Sequence, residues 1–340
     1  MKVKLGDVCE RGSSNLKQSD VVGMSGDYPI YGAAGYLGNV DFYHQEKPYV
    51  AVVKDGAGIG RTTLHPAKSS VIGTMQYLLP KSNILPEYLY YVVSYKHLEK
   101  YFTGATIPHI YFKDYKNEKF NLDSLDMQKK IVDILSKCEG IIKSRNKELE
   151  LLDELVKARF VEMFGDPVLN DKKFSTLSGE DFFKLSNGKA VPEEKRHEVG
   201  IPAYGGNGIS WYTNEVLRVE DTLVVGRVGF QSGNVHYAVG PLWITDNAMY
   251  ISQYDKGKIN LVFLCELMQR VNFSRFQDAG DLKKITQKPF MSFQYILPSM
   301  ELQQKFLDFK EQIDKSKVAI KKSLDETQIL FDSLMQKYFG

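Results

Sequence analysis

The sequence predicts an α+β protein made of two copies of one unit, each a mainly β globular domain with short helices followed by one long helix. Three observations support this fold class. Segments of the first half recur in the second half, glycine- and tyrosine-rich regions contain short β-branched runs, and two long stretches have apolar residues at seven-residue spacing. We expect the two long helices to pair as an antiparallel coiled coil.

The repeat is clearest where the long helices begin. The segment LDSLDMQKK (122–130) resembles LPSMELQQK (297–305), and Phe164-Gly165 matches Phe339-Gly340 at the same spacing. Earlier in the chain, YGAAG (31–35) resembles YGGNG (204–208) at nearly that spacing. An internal duplication of a unit of about 170 residues accounts for all three matches. We call residues 1–165 copy one and residues 166–340 copy two.

Each copy predicts a strand-rich domain before its long helix. Gly, Tyr and Phe are frequent there, and short helices are expected around Pro86–Phe102 and Ile259–Phe273. The predicted boundaries are a first globular domain (1–121), a first long helix (122–165), a second globular domain (166–296) and a second long helix (297–340). The runs that predict strands are YVAVV (49–53), VIGTMQYLL (71–79), DTLVVGRVG (221–229) and WITDNAMYI (243–251).

The long helices are predicted from periodicity. Residues 125–163 contain no proline and one glycine, Gly140. Some 40 residues make a helix of about 60 Å, which is longer than one small domain is wide. The alternative is two separate amphipathic helices, each lying on its own domain. The columns at seven-residue spacing are apolar apart from Arg145, Arg159 and Thr327. They are Ile131, Cys138, Arg145, Leu152 and Arg159 beside Leu135, Ile142, Leu149, Val156 and Met163 in copy one, and Phe306, Ile313, Ile320, Thr327 and Leu334 in copy two.

Composition narrows the class of protein. The chain has 340 residues, 43% hydrophobic and 25% charged, which excludes a disordered or collagen-like chain. Its three cysteines lie far apart and its six histidines have no metal-ligand spacing, so we predict no cofactor, no metal and no disulfide framework. No apolar run approaches the ~20 residues of a membrane helix, and the start lacks a signal-peptide core, which predicts the cytoplasm and no membrane partner. Net charge is only +2, so any nucleic-acid surface must arise from local clustering.

One glycine-rich segment, VVKDGAGIGRTT (52–63), superficially resembles a nucleotide-binding loop. A P-loop needs four residues between its glycines and then lysine, whereas Gly56 and Gly60 enclose three residues and Arg61 follows. Copy two retains both glycines, as Gly229 and Gly233, but changes the charged residues around them. This pattern predicts a turn between two strands, with glycines that serve backbone conformation.

The duplicated arrangement resembles the specificity (S) subunit of type I restriction-modification systems over essentially the whole chain. The residues that carry the resemblance are YPIYGAAGYLGNVDFY (28–43) and IPAYGGNGISWYTNE (201–215), the loop TGATIPHIYFKDY (103–115), and the starts of the two long helices. These starts look like the family's P-L-x-x-Q-x-x-I pattern, although copy one has Asp123 where copy two has Pro298.

The resemblance implies a non-catalytic, DNA-binding subunit with two target-recognition domains. It would bind an asymmetric bipartite site in double-stranded DNA, one recognition domain to each half. It would recruit two modification subunits that methylate adenine, and restriction subunits that cut DNA using ATP. Consistent with this role, we find no D/N-P-P-Y/F tetrad, no P-loop and no nuclease signature in the sequence.

Candidate DNA contacts are polar side chains on matching loops of the two copies. Arg, Asn and Gln can read base edges, while Lys, Ser and Thr contact phosphates. The candidates in copy one are Lys54, Arg61, Thr106, His109, Tyr111 and Lys113. Those in copy two are Arg227, Gln231, Asn234, Lys283, Lys284, Thr286 and Gln287. For each one, the alternative is an ordinary solvated side chain.

Two other function classes remain open at this point. The chain could be a coiled-coil scaffold with two protein- or ligand-binding domains. It could also be a nucleotide-binding enzyme that uses the loop at 56–62.

Overall fold

The structure, a computed structural model, describes residues 1–104, 108–278, 280 and 283–340. Two compact units divide the chain. The first contains Met1–Glu148 and Ile320–Gly340, and the second contains Leu149–Ala319. Within the described ranges, no helix is long and apolar enough to span a bilayer.

Copy one is a strand-rich domain followed by a long helix. Its helices are α1 (Leu5–Val8), α2 (Gln18–Val21), α3 (Pro86–Tyr95), α4 (Phe112–Tyr115) and α5 (Leu125–Phe164). Its strands are β1 (Lys2–Lys4), β2 (Cys9–Ser13), β3 (Tyr28–Gly32), β4 (Gly35–Val40), β5 (Tyr49–Val53), β6 (Thr62–His65), β7 (Ser70–Val71), β8 (Met75–Pro80) and β9 (Lys119–Asn121).

Three small sheets organise copy one. β2, β8, β5 and β6 form an antiparallel sheet in that order, β4, β3 and β7 form a second sheet, and β1 pairs with β9. Val50 and Val52 of β5 share a buried cluster with Leu89 and Val92 of α3. Burial of this apolar surface between sheet and helix supplies the main stabilisation of the domain.

Copy two repeats this plan. The helices are α6 (Leu261–Val271), α7 (Lys288–Ser292) and α8 (Met300–Phe339). The strands are β10 (Thr176–Ser178), β11 (Phe183–Asn187), β12 (Ile201–Gly205), β13 (Gly208–Thr213), β14 (Thr222–Gly226), β15 (Val235–Ala238), β16 (Trp243–Ile244), β17 (Ala248–Tyr254) and β18 (Gln294–Ile296). The sheets have the orders β11-β17-β14-β15, β13-β12-β16 and β10-β18.

Two of the predicted strand runs are each divided by a turn. In VIGTMQYLL the chain turns after Ile72, whose carbonyl accepts from Met75 N at 3.0 Å, so β7 joins the sheet of β3 while β8 joins that of β5. The run WITDNAMYI is divided in the same way into β16 and β17. Each short strand then adds to a sheet different from that of its sequence neighbour.

The short helices end earlier than the sequence predicts. His97, after α3, has φ +50°, and Asn272, after α6, has φ +56°. Each helix is thus followed by a residue in the left-handed conformation. In each copy a 3₁₀ turn comes next, Leu98–Tyr101 and Phe273–Phe276. His97 and Asn272 are separated by the same spacing as the starts of α5 and α8, so the repeat extends to these helix ends.

The long helices α5 and α8 confirm the periodicity. Each has 40 residues, and both their first and their last residues correspond in the repeat. In the second unit Lys317 Nζ lies 2.5 Å from Asp153 Oδ1, and the Arg159 guanidinium lies 5.8 Å from the Phe309 ring. The later residue of α5, Arg159, therefore meets the earlier residue of α8, Phe309. These two helix segments run antiparallel.

The same pairing recurs in the first unit. Ile131 and Leu135 of α5 share a buried cluster with Met335 and Phe339 of α8. The residues of the predicted columns are buried or half-buried in both helices. The fold class is therefore confirmed, and the pairing is that of two helices with apolar seams rather than of separate surface helices.

A buried glutamine ties each long helix to its domain. Gln128 Oε1 accepts from Leu85 N at 2.9 Å, and its Nε2 donates to Asn83 O and Asp123 O at 3.0 and 2.9 Å. Gln303 repeats these contacts with the corresponding backbone groups at 2.9, 3.0 and 2.9 Å. This explains the glutamine of the repeated motif, because one buried side chain satisfies three partly buried backbone groups.

Candidate nucleic-acid interface

The glycine-rich segment is a hairpin turn between β5 and β6. We call residues 54–61 turn 1. Gly60 has φ +81°, and a Cβ atom there would lie 2.5 Å from Glu99 N. Glycine is required at this position by both conformation and space.

Turn 1 does not have the properties of a phosphate loop. Gly56 N donates to Pro108 O at 3.0 Å and Gly60 N donates to Val53 O at 2.9 Å. Because these N–H groups already have protein acceptors, they cannot surround a phosphate. Strand β6 follows the turn where a P-loop would begin a helix. The structure thus contradicts the nucleotide-loop alternative.

Turn 1 is joined to a second segment of the predicted site, loop 1 (108–113). Asp55 and His109 form an isolated antiparallel bridge, and Ile110 N donates to Lys54 O at 2.9 Å. Main-chain hydrogen bonds therefore hold together two segments that lie far apart in the sequence.

We call a turn and a loop held together by these main-chain hydrogen bonds a frame. Copy two builds the same frame from turn 2 (227–234) and loop 2 (283–287). Val228 bridges Lys284, Gly229 N donates to Lys283 O at 2.8 Å, and Ile285 N donates to Arg227 O at 2.9 Å. Gly233 also has positive φ, and a Cβ there would approach Ser274 N at 2.6 Å. Every one of these backbone contacts has its counterpart in copy one.

The side chains on the two frames differ. In copy one, His109 Nδ1 lies 2.7 Å from Asp55 Oδ1, and Lys54 Nζ lies 3.7 Å from Asp55 Oδ2. Lys113 Nζ lies 5.3 Å from the centroid of the Tyr111 ring, which is 50% exposed. The candidate interface of copy one thus combines an exposed aromatic ring with two cations, an imidazole and the carboxylate of Asp55.

In copy two the frame presents amides and cations. Arg227 is exposed, with Nη1 3.4 Å from Asp246 O, and Asn234 Nδ2 donates to Gln231 Oε1. Gln287 Nε2 lies 3.3 Å from Asn187 Oδ1. Lys284 and Thr286 are exposed, and Lys283 is half-buried.

One predicted residue, Arg61, stands apart from these groups. Arg61 is exposed, but its Nη2 donates to Ala33 O at 2.5 Å, in the turn between β3 and β4. This contact directs the guanidinium toward the neighbouring hairpin. Thr106 lies outside the described residues.

The structure adds residues that sequence reasoning missed. Asp55 connects Lys54 and His109, and Phe230 at the tip of turn 2 is 87% exposed. The one signal for Phe230 in the sequence is its place in the predicted turn, which does not determine the direction of its side chain. A groove of about 510 Å³ adjoins it in the second unit and is lined in part by Trp211, Gln231 and Asn247.

The chain matches the family described as "Type I restriction modification DNA specificity domain" over residues 1–151 and 171–328. The type I restriction enzyme MjaVIII specificity subunit of Methanocaldococcus jannaschii is 31% identical over 128 residues, covering 37% of this chain and 30% of that protein. The putative MjaX specificity subunit of the same organism is 26% identical over 314 residues, covering 77% of this chain and 73% of that protein. The chain thus spans less than a third of the MjaVIII subunit.

A solved structure has a similar fold. The crystal structure of the type I restriction-modification S subunit from M. genitalium superposes with a TM-score of 0.72 at 17% identity, covering 100% of this chain and 96% of that one. At this identity the likeness concerns the fold. It agrees with the repeated arrangement described above.

Proposed function

This chain belongs to the type I restriction-modification specificity subunits, and from that membership we propose that it reads an asymmetric bipartite DNA site, with one copy contacting each half-site. Copy one would use turn 1 and loop 1, and copy two would use turn 2 and loop 2. DNA contacts of this kind combine phosphate anchoring with readout of base edges.

The observation that supports this proposal is the pair of matched frames with unlike side chains. Identical main-chain contacts fix both frames, whereas copy one presents Lys54, His109 and Lys113 and copy two presents Arg227, Gln231 and Lys284. Two unlike half-sites require two different sets of donors and acceptors on one backbone plan.

We propose that the chain is non-catalytic and acts in the cytoplasm with partner subunits. Two modification subunits would methylate adenine, and ATP-dependent restriction subunits would cut DNA. Exposed apolar side chains on α5 support a docking role for this helix: Leu151 and Leu155, one turn apart, are 51% and 45% exposed.

Methylation mapping tests the proposal. DNA from the source cell is compared with DNA from cells that lack this gene. We expect methylated adenines to disappear at one split sequence, because the modification subunits depend on this chain to find it. An unchanged methylation pattern, together with no site-dependent methylation by the assembled complex, would refute the proposal.

Single substitutions then assign the halves. Arg227→Ala should weaken binding by about 1–3 kcal/mol and relax the sequence of the second half only, while Lys54→Ala should affect the first half only. Lys47→Ala removes an exposed charge outside turn 1, loop 1, turn 2 and loop 2, and serves as the charge-matched control. Equal effects of Arg227→Ala on both halves would contradict the assignment.

A further inference from the structure

Phe230 is an exposed aromatic residue on a well-held backbone. The ring is 87% exposed, so it adds little to the core of copy two. Ser232 N donates to Gly229 O at 3.0 Å, and Gln277 Nε2 donates to Ser232 O at 2.5 Å and to Phe230 O at 3.4 Å. The chain therefore presents this ring on a fixed turn.

Cations share the turn and the adjoining loop with this apolar tip. Turn 2 also contains the exposed Arg227, and its backbone is hydrogen-bonded to Lys283 on loop 2 beside the exposed Lys284. An apolar pocket of a protein partner would not require such a set of positive charges. Double-stranded DNA fits both features, since phosphates bind the cations and stacked base pairs can receive a ring between them.

The two copies differ sharply at this position. Turn 1 has Ala57 where turn 2 has Phe230, on the same hydrogen-bonded frame. Alanine is therefore compatible with the backbone of this turn. The phenylalanine is an addition specific to copy two and is not needed to form the turn.

We propose that Phe230 inserts between two base pairs of the second half-site and unstacks one base step, while Lys283 and Lys284 bind the flanking phosphates. This inference rests on the proposed function. It adds a requirement that hydrogen bonds to base edges do not impose: pyrimidine–purine steps unstack most easily. We therefore expect such a step in the second half-site.

The experiment uses the full chain assembled with its modification subunits. The probe is a duplex carrying the mapped site with 2-aminopurine at successive positions, because this base fluoresces more strongly when it is unstacked. The native complex should raise the fluorescence at one step of the second half-site several-fold. Phe230→Ala should remove this signal and weaken affinity on the order of tenfold, with an unchanged salt slope.

Three variants complete the design. Phe230→Trp should retain the signal, Ala57→Phe should create a new one in the first half-site, and Val239→Ala, at an exposed apolar position of copy two, should change neither. An equal signal in the native complex and in Phe230→Ala overturns the inference, as does lost affinity without any unstacking signal in the native complex. Failure of the proposed function would be recognised earlier, because no methylated site would be found, and the inference would then fall with it.

Discussion

The hydroxyl of Tyr88 donates a hydrogen bond of 2.8 Å to the carboxylate of Asp123. Tyr88 is fully buried on α3, and Asp123 lies just before α5. The corresponding residues of copy two are Phe263 and Pro298, so copy two lacks both the hydroxyl and the carboxylate. Burial, and then the neighbouring Asp123, raise the pKa of Tyr88, which stays a neutral donor.

A double-mutant cycle tests this pair. Tyr88→Phe should lower the free energy of unfolding by about 1–3 kcal/mol, because a buried hydrogen bond to a charged group is lost. Asp123→Ala should cost less once Tyr88 is already Phe, giving a coupling energy of about 1 kcal/mol. Urea unfolding of the four chains measures it. Strictly additive effects would show that the two residues act independently.

The buried glutamines predict a second set of effects. Gln128→Leu keeps the volume but leaves Leu85 N, Asn83 O and Asp123 O without a partner, so we expect a loss of about 2–4 kcal/mol. Gln303→Leu should have a similar effect in copy two. The control, Lys129→Leu, changes an exposed neighbour on α5. A small effect of Gln128→Leu, equal to that of the control, would show that the hydrogen bonds of Gln128 do not stabilise the contact between α5 and its domain.

His65 should make the stability depend on pH. Burial lowers the pKa of His65 to about 4. Between pH 6.5 and 4 the unfolded chain binds the extra proton, so the stability contributed by neutral His65 is lost as the pH falls, by up to about 3 kcal/mol.

His65→Gln should remove this part of the pH dependence, as measured by unfolding at pH 7 and pH 4.5. His97→Asn is the matched control, because His97 is exposed and Asn272 occupies the corresponding left-handed position in copy two. Parallel pH profiles for the native chain and His65→Gln would show that His65 is not responsible.

Gly60 should be intolerant of a side chain. Gly60→Ala places a Cβ against the backbone of Glu99 at a residue with positive φ, and we expect a loss of about 1–3 kcal/mol or more. Gly140→Ala, in the exposed middle of α5 with open space around it, should instead stabilise by about 0.5–1 kcal/mol. Thermal unfolding of both variants gives the comparison, and destabilisation by both would contradict the conformational argument.

The long helices predict how half-site spacing depends on chain length. Inserting seven residues after Glu148 of α5 and after Ala319 of α8 keeps the seven-residue periodicity and adds about 10 Å of helix. In the proposed function this should lengthen the preferred gap between half-sites by about three base pairs. Methylation mapping reads the new gap. A scaffold without DNA as its ligand would show no such shift.

The parts of the fold that depend on local pattern could be predicted from sequence. The columns beginning at Ile131 and Leu135 gave α5 to within one residue of its end at Phe164. Contacts between distant residues could not be predicted. Nothing local in VIGTMQYLL indicates that Val71 and Met75 belong to different sheets, and no pattern pairs Asp55 with His109.

The candidate site shows the same division. Sequence comparison identified the matching loops because the duplication preserves their order. It did not show that Arg61 would reach Ala33, or that Phe230 would be exposed. Both depend on side-chain directions, which are determined by the tertiary neighbours of each turn.

The frames in both copies are held by main-chain atoms, such as Ile110 N to Lys54 O and Ile285 N to Arg227 O. Substitution of the side chains at Lys54 or Arg227 leaves these hydrogen bonds in place. In the proposed function, a lineage could therefore acquire a new target sequence through a few substitutions at the rim of one frame. Neither folding nor the other half-site would have to change, so the recognised sequence could diversify one half at a time.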